Sequence, residues 1–216
     1  MTTETVEFDT ADHLRLEGRV ALPEDAAGGA VLCHPHPLYG GSMSSAIIPV
    51  VQRALAAHGW ASLRFNFRGV GRSEGTFGRG VGELKDVAAA LDVVAARVQG
   101  RPLAVVGWSF GALVGLAAAV ADDRTTAYAG IAPPVTVQHN TALPPLPPAE
   151  RLASWGGRVL AVCGTKDDFC RTGDLKEWAQ RVSPEADIRI YEGEDHFFSV
   201  DKSAMAADVA AFIAEG

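Results

Sequence analysis

Leu103-Ala-Val-Val-Gly107-Trp108-Ser109-Phe110-Gly111-Ala112-Leu113-Val114-Gly115 is the stretch that decides the fold. Its first half is short, apolar and β-branched, as a buried strand is. The run after Ser109, Ala112-Leu-Val-Gly-Leu-Ala-Ala-Ala119, is Ala/Leu-rich and reads as a helix. A serine wedged between such a strand and such a helix, with Gly107 and Gly111 beside it, has the pattern of a nucleophile elbow. The turn leaves no room for a side chain at either glycine, and it lifts the hydroxyl clear of the sheet. The helix that starts there points free N–H groups at the same spot. The pentapeptide counts only in this strand–turn–helix setting, because a chain with 23 Gly in 216 residues can match it by chance.

Outward from the elbow, strand and helix patterns alternate. Val6–Asp9 and Leu14–Leu22 alternate apolar and polar residues, as half-exposed antiparallel strands do. Ala30–Cys33, Trp60–Phe65, Ala127–Ile131, Val159–Val162 and Ile188–Tyr191 read as further strands. Helical patterns cover Ile47–His58, Asp174–Val182 and Ala204–Ile213. The clearest amphipathic helix is Gly82–Val98, with Leu84, Val87, Ala88, Leu91, Val94 and Val98 on one face. Alternating units of this kind predict an α/β fold: a mostly parallel sheet of about eight strands, helices on both faces, and an antiparallel edge from the two leading strands. One domain spanning residues 1–216 is expected. Ala132–Pro148 holds six of the twelve Pro and reads as a loop over the top of the sheet, too short for a cap domain.

Composition narrows the partners. The net charge of −7 offers no electrostatic footprint for nucleic acid or an anionic membrane. No apolar run is long enough to span a bilayer, and Met1-Thr-Thr-Glu-Thr-Val-Glu lacks the regions of a signal peptide. Three cysteines (Cys33, Cys163, Cys170) are a sparse set, and none sits at the elbow. A cytoplasmic location is the expectation.

A serine nucleophile needs a base, and the base needs an orienting acid. Past the elbow, the strand Val159–Val162 ends in Gly164-Thr-Lys-Asp167-Asp168, and the last strand is followed by Glu194-Asp195-His196-Phe197. Both segments lie at carboxyl ends of strands, where open α/β sheets place their sites. The order Ser109, Asp167 or Asp168, His196 is that of the triads on this kind of sheet. An oxyanion needs two backbone N–H donors. Phe110 supplies one. The other must come from Cys33-His34-Pro35-His36-Pro37-Leu38-Tyr39-Gly40-Gly41, where Pro35 and Pro37 have no N–H. His36, Leu38 or a neighbour remains, and Leu38 is taken as the donor. His34-x-His36 lacks a third ligand at convincing spacing, so no metal is expected, nor any organic cofactor. Asn66-Phe-Arg68-Gly69-Val-Gly71-Arg-Ser73-Glu-Gly75 has Glu74 where a phosphate loop needs glycine. It reads as a turn, with Arg68 a structural salt-bridge donor.

With the loop from His34 to Met43, the turn from Asn66 to Ser73, Gly107–Gly111, Gly164–Asp167 and Asp195-His196, the chain resembles a small α/β-hydrolase of the dienelactone-hydrolase-like branch. The likeness spans about residues 30 to 200. It implies Ser109 as nucleophile, Asp167 as acid and His196 as base. Because Ser109 stands where dienelactone hydrolases carry cysteine, it implies ordinary ester hydrolysis. The expected substrate is a small or short-acyl carboxylic ester, on the argument that no long apolar groove is visible in the sequence. Acyl transfer, thioester or peptide cleavage on the same residues, and a catalytically silent binding module, are the rival readings.

Overall fold

The computed structural model describes residues 2–137 and 143–215. Eight strands form one sheet: β1 (Thr2–Asp9), β2 (Arg15–Leu22), β3 (Gly28–Cys33), β4 (Trp60–Phe65), β5 (Leu103–Trp108), β6 (Thr125–Ile131), β7 (Arg158–Gly164) and β8 (Asp187–Tyr191). Their order across the sheet is β1-β2-β4-β3-β5-β6-β7-β8. β1 and β2 pair antiparallel, β2 meets β4 antiparallel, and every later pairing is parallel. The α/β expectation and the antiparallel edge are both met.

Six helices cover the two faces. α1 (Ile48–Ala57) and α6 (Lys202–Ala214) pack on one side, against Leu32, Val106 and Leu160. α2 (Gly82–Val98), α3 (Phe110–Ala121), α4 (Ala149–Trp155) and α5 (Thr172–Val182) pack on the other, against Val31, Val105 and Ala161. Consecutive strand residues thus feed opposite cores, which is why the central strands read as unbroken apolar runs. α3 is apolar all round because it is buried between the sheet and its neighbours.

β3 is the point where the chain turns outward in both directions, β4 to one side and β5 to the other. Sites in open α/β sheets form above such a point, at the carboxyl ends. α4 was not legible in the sequence. Ala149–Trp155 is short, and it starts directly after Pro148, which fixes the backbone for the first turn without a side-chain cap. The Pro-rich segment before it is irregular at 132–137 and 143–148, and residues 138–142 lie outside the described residues. No described helix is long and apolar enough to cross a membrane.

Candidate active site

Ser109 sits between β5 and α3 with φ 57° and ψ −123°, a conformation a side-chain-bearing residue rarely adopts. Close packing imposes it. A Cβ at Gly107 would run into the Gly111 carbonyl, and one at Gly111 into the Cys33 carbonyl. Ser109 N–H donates to the Ile131 carbonyl at 2.8 Å, pinning the turn to the end of β6. The hydroxyl is left facing the loops beyond the sheet.

There it meets His196, which follows β8. His196 Nε2 lies 3.0 Å from Ser109 Oγ. His196 Nδ1 lies 2.8 Å from Asp167 Oδ2 and 3.0 Å from Oδ1. Asp167, just past β7, is buried, and its Oδ1 accepts from the N–H groups of Phe169 and Cys170 at 2.9 and 3.0 Å. Those donors fix the carboxylate, and the carboxylate fixes the imidazole. Asp168 is exposed. Trp108 adds a tie that the sequence did not announce, because its Nε1 donates to the His196 carbonyl at 3.1 Å.

The loop after β3 holds two histidines with different surroundings. His34 is fully buried; its Nε2 accepts from Phe67 N–H at 3.1 Å and its Nδ1 donates to the Pro35 carbonyl at 2.6 Å. Burial pushes its pKa down to about 4. It is a neutral bracket between β3 and the segment after β4. His36 faces the cleft above Ser109, its ring centroid 4.9 Å from that of Phe110. Among the described residues no group of three or more His, Cys, Asp or Glu gathers as a metal cluster would.

The expectation for Leu38 is corrected. Pro37–Tyr39 forms a short 3-10 turn, capped by His36, and the Leu38 N–H donates to His36 Nδ1 at 3.2 Å. Leu38 is also outside the cleft lining, with 68% of its surface exposed. The N–H groups of Phe110 and His36 have no partner among the described residues, and both residues line the cleft. Gly41 explains part of the loop's Gly-Gly pair, since a Cβ there would collide with the Pro35 carbonyl.

The cleft has a volume of about 560 Å³ and is walled chiefly by apolar groups. Tyr39, Leu143, Phe169 and Phe197 reach it from separate connections, and Trp108 and Phe110 flank Ser109 at the elbow. The sequence did not show this groove, because its walls come from segments far apart in the chain: the loop after β3, the elbow, the segment before α4 and the loops after β7 and β8. Only the fold brings them together. The expectation of a site without one is corrected as well.

Arg68 is the structural donor expected of the turn after β4. Its guanidinium bonds Asp86 at 2.7 Å and Asp12 at 3.0 Å.

A serine held by an imidazole and a carboxylate above the switch point of such a sheet is the arrangement of an α/β serine hydrolase. The family model described as "Serine aminopeptidase, S33" matches residues 31–160, and the chain belongs to that family of α/β hydrolases. It is 34% identical over 194 residues to the uncharacterized protein RP471 of Rickettsia prowazekii, covering 85% of this chain and 78% of the relative. Among solved structures it is similar to ATU1826 of Agrobacterium tumefaciens, a putative α/β hydrolase, with TM-score 0.84 and 28% identity over 97% of this chain and 94% of that one. It is also similar to XC6422 of Xanthomonas campestris, described as an α/β serine hydrolase without lid, with TM-score 0.81 and 29% identity over 98% and 93% of the two chains.

Proposed function

We propose that the chain is a single-domain serine hydrolase that cleaves small carboxylic esters through an acyl-enzyme on Ser109. The observation that carries the reading is the continuous path Asp167–His196–Ser109, with contacts of 2.8 and 3.0 Å. In this reading His196 Nε2 takes the hydroxyl proton as Ser109 Oγ attacks the ester carbonyl carbon. The oxyanion so formed accepts from the N–H groups of Phe110 and His36. Its collapse breaks the bond to the alcohol oxygen, which receives the proton from His196. Water then gives a proton to His196, attacks the acyl carbonyl, and releases the acid while Ser109 regains its proton. Asp167 holds the imidazole in the tautomer these transfers require.

The walls favour a neutral substrate. No Asp, Glu, Lys or Arg is among the described residues lining the cleft. A peptide with a free α-ammonium would find no counter-charge there, which supports an ester over a peptide amino terminus. The loop from His34 to Gly41 supports placement in the dienelactone-hydrolase-like branch.

A fluorophosphonate probe tests the nucleophile: it labels wild-type protein at Ser109 and leaves Ser109→Ala unlabelled. Turnover of a p-nitrophenyl ester, a thioester and an anilide of one acyl group then ranks the reactions. The ester leads if the reading holds; a leading thioester replaces it with thioesterase chemistry, and a leading anilide with peptidase chemistry.

A further inference from the structure

Six large hydrophobic side chains are exposed among the described residues: Leu38, Tyr39, Val81, Phe169, Phe197 and Val200. All six lie in connections that leave the carboxyl ends of β3, β4, β7 and β8. The helix faces turned to solvent and the opposite edge of the sheet carry none of them. A hydrophobic set confined to one edge is a binding surface rather than ordinary surface scatter.

Three of the six are aromatic and line the cleft itself. The Tyr39 ring lies 4.8 Å from that of His36, the Phe169 ring 4.8 Å from that of His196, and the Phe197 ring 5.9 Å from that of Trp108. Flat faces and edges therefore surround the reactive pair from the β3, β7 and β8 sides. The cleft of about 560 Å³ is in the size range of sites that hold a drug-sized molecule. An ester with two short arms would leave most of it unfilled.

Resting on the serine-ester reading above, we infer that the substrate is an uncharged ester carrying a flat aromatic arm, seated among Tyr39, Phe169 and Phe197. The occupant is the substrate and not a lipid surface, because the three aromatic members of this exposed collar, Tyr39, Phe169 and Phe197, belong to the wall of the cleft that holds Ser109. Rings pair with rings in offset or edge-on geometry, so a planar arm gains more from these walls than a puckered one of equal size.

The test uses pairs of esters, with each kcat/KM divided by that ester's rate of alkaline hydrolysis, so that intrinsic reactivity cancels. Benzyl acetate, cyclohexylmethyl acetate and methyl acetate probe one arm, and methyl phenylacetate and methyl cyclohexylacetate probe the other. On at least one arm kcat/KM for the aromatic ester exceeds that for its saturated twin by about tenfold, the size of one or two ring pairs. In Tyr39→Ser/Phe197→Ser that ratio collapses toward one, because two of the rings that tell flat from puckered are gone. Equal efficiency for aromatic and saturated twins on both arms overturns the inference, as does a ratio that survives in the double variant. A rate on benzyl acetate that appears only with added phosphatidylcholine vesicles assigns the collar to a lipid surface and overturns it too. Labelling of Ser109 by the fluorophosphonate separates these failures from failure of the serine reading itself.

Discussion

Two pentapeptides in this chain share the spacing Gly-x-Ser-x-Gly: Gly71-Arg72-Ser73-Glu74-Gly75, in the turn after β4, and Gly107-Trp108-Ser109-Phe110-Gly111, between β5 and α3. Their backbones are built in opposite ways. In the turn, the glycines take the left-handed region, with φ 60° at Gly71 and 82° at Gly75, and the serine does not. In the elbow, the serine takes it, and the glycines are there for space. The side chains follow suit. Ser73 Oγ donates to the Asn66 carbonyl at 2.7 Å and accepts from Glu17 N–H at 3.1 Å, so both capacities are used inside the fold. Ser109 Oγ bonds His196 alone among the described residues and opens to the cleft. The lesson is that the spacing of small residues says a tight turn is present. Only the flanking strand and helix say which residue the turn presents.

The largest test of the contrast compares the two serines in one assay. Ser109→Ala lowers kcat/KM by about 10⁵- to 10⁶-fold on a p-nitrophenyl ester, while Ser73→Ala leaves kcat unchanged. A Ser73→Ala protein that is folded and inactive breaks the comparison. Next in size is the acid. Asp167→Asn lowers kcat by about 10⁴-fold, because the imidazole loses the partner that sets its tautomer. Asp168→Asn, at an exposed position, leaves it near wild type. The reverse result moves the acid by one residue.

How much of this was legible follows from how local each signal is. The elbow, the strand runs and the chain order of Ser109, Asp167 and His196 are written in short windows, and the structure brings those three side chains together. The choice of Asp167 over Asp168 came from the family resemblance, and the burial of one and exposure of the other agree with it. Leu38 failed because an N–H is free or bonded according to a side chain two residues away, and His36 folds back to take it. The cleft was invisible because its rings come from four distant segments. The turn at Ser73 was placed correctly, but its likeness to the elbow has meaning only when φ at each glycine is known.

His34 joins the two regions and supplies the third test. Its Nε2 holds Phe67 at the start of the polar turn, while its own carbonyl sits against Gly111 of the elbow. Burial lowers its folded pKa to about 4, below the value of about 6.5 for free imidazole, so the unfolded chain binds the proton more readily. The stability is complete above about pH 6.5 and is lost as the pH falls toward 4, by up to about 3 kcal/mol. Urea midpoints at about pH 7 and 4.5 measure the drop, and His34→Gln flattens it. A slope that persists in His34→Gln places the proton uptake elsewhere.

The smallest expected effect sharpens the turn's side of the comparison. Ser73→Ala strands the buried Glu17 N–H and Asn66 carbonyl, costing about 1–3 kcal/mol in urea unfolding. A neutral result would mean that water replaces the hydroxyl and that the turn does not depend on it.

The indole of Trp108 ties the nucleophile's own strand to the backbone of the base, and its ring lies 6.3 Å from the imidazole and 5.9 Å from the Phe197 ring. The chain thereby carries a built-in chromophore at the seam between its two reacting halves. Any event that shifts the loop after β8, from acylation of Ser109 to the first fraying on heating, changes the polarity and quenching around that indole. With the other three tryptophans, Trp60, Trp155 and Trp178, replaced by Phe, the emission of Trp108 lets the site be watched in real time.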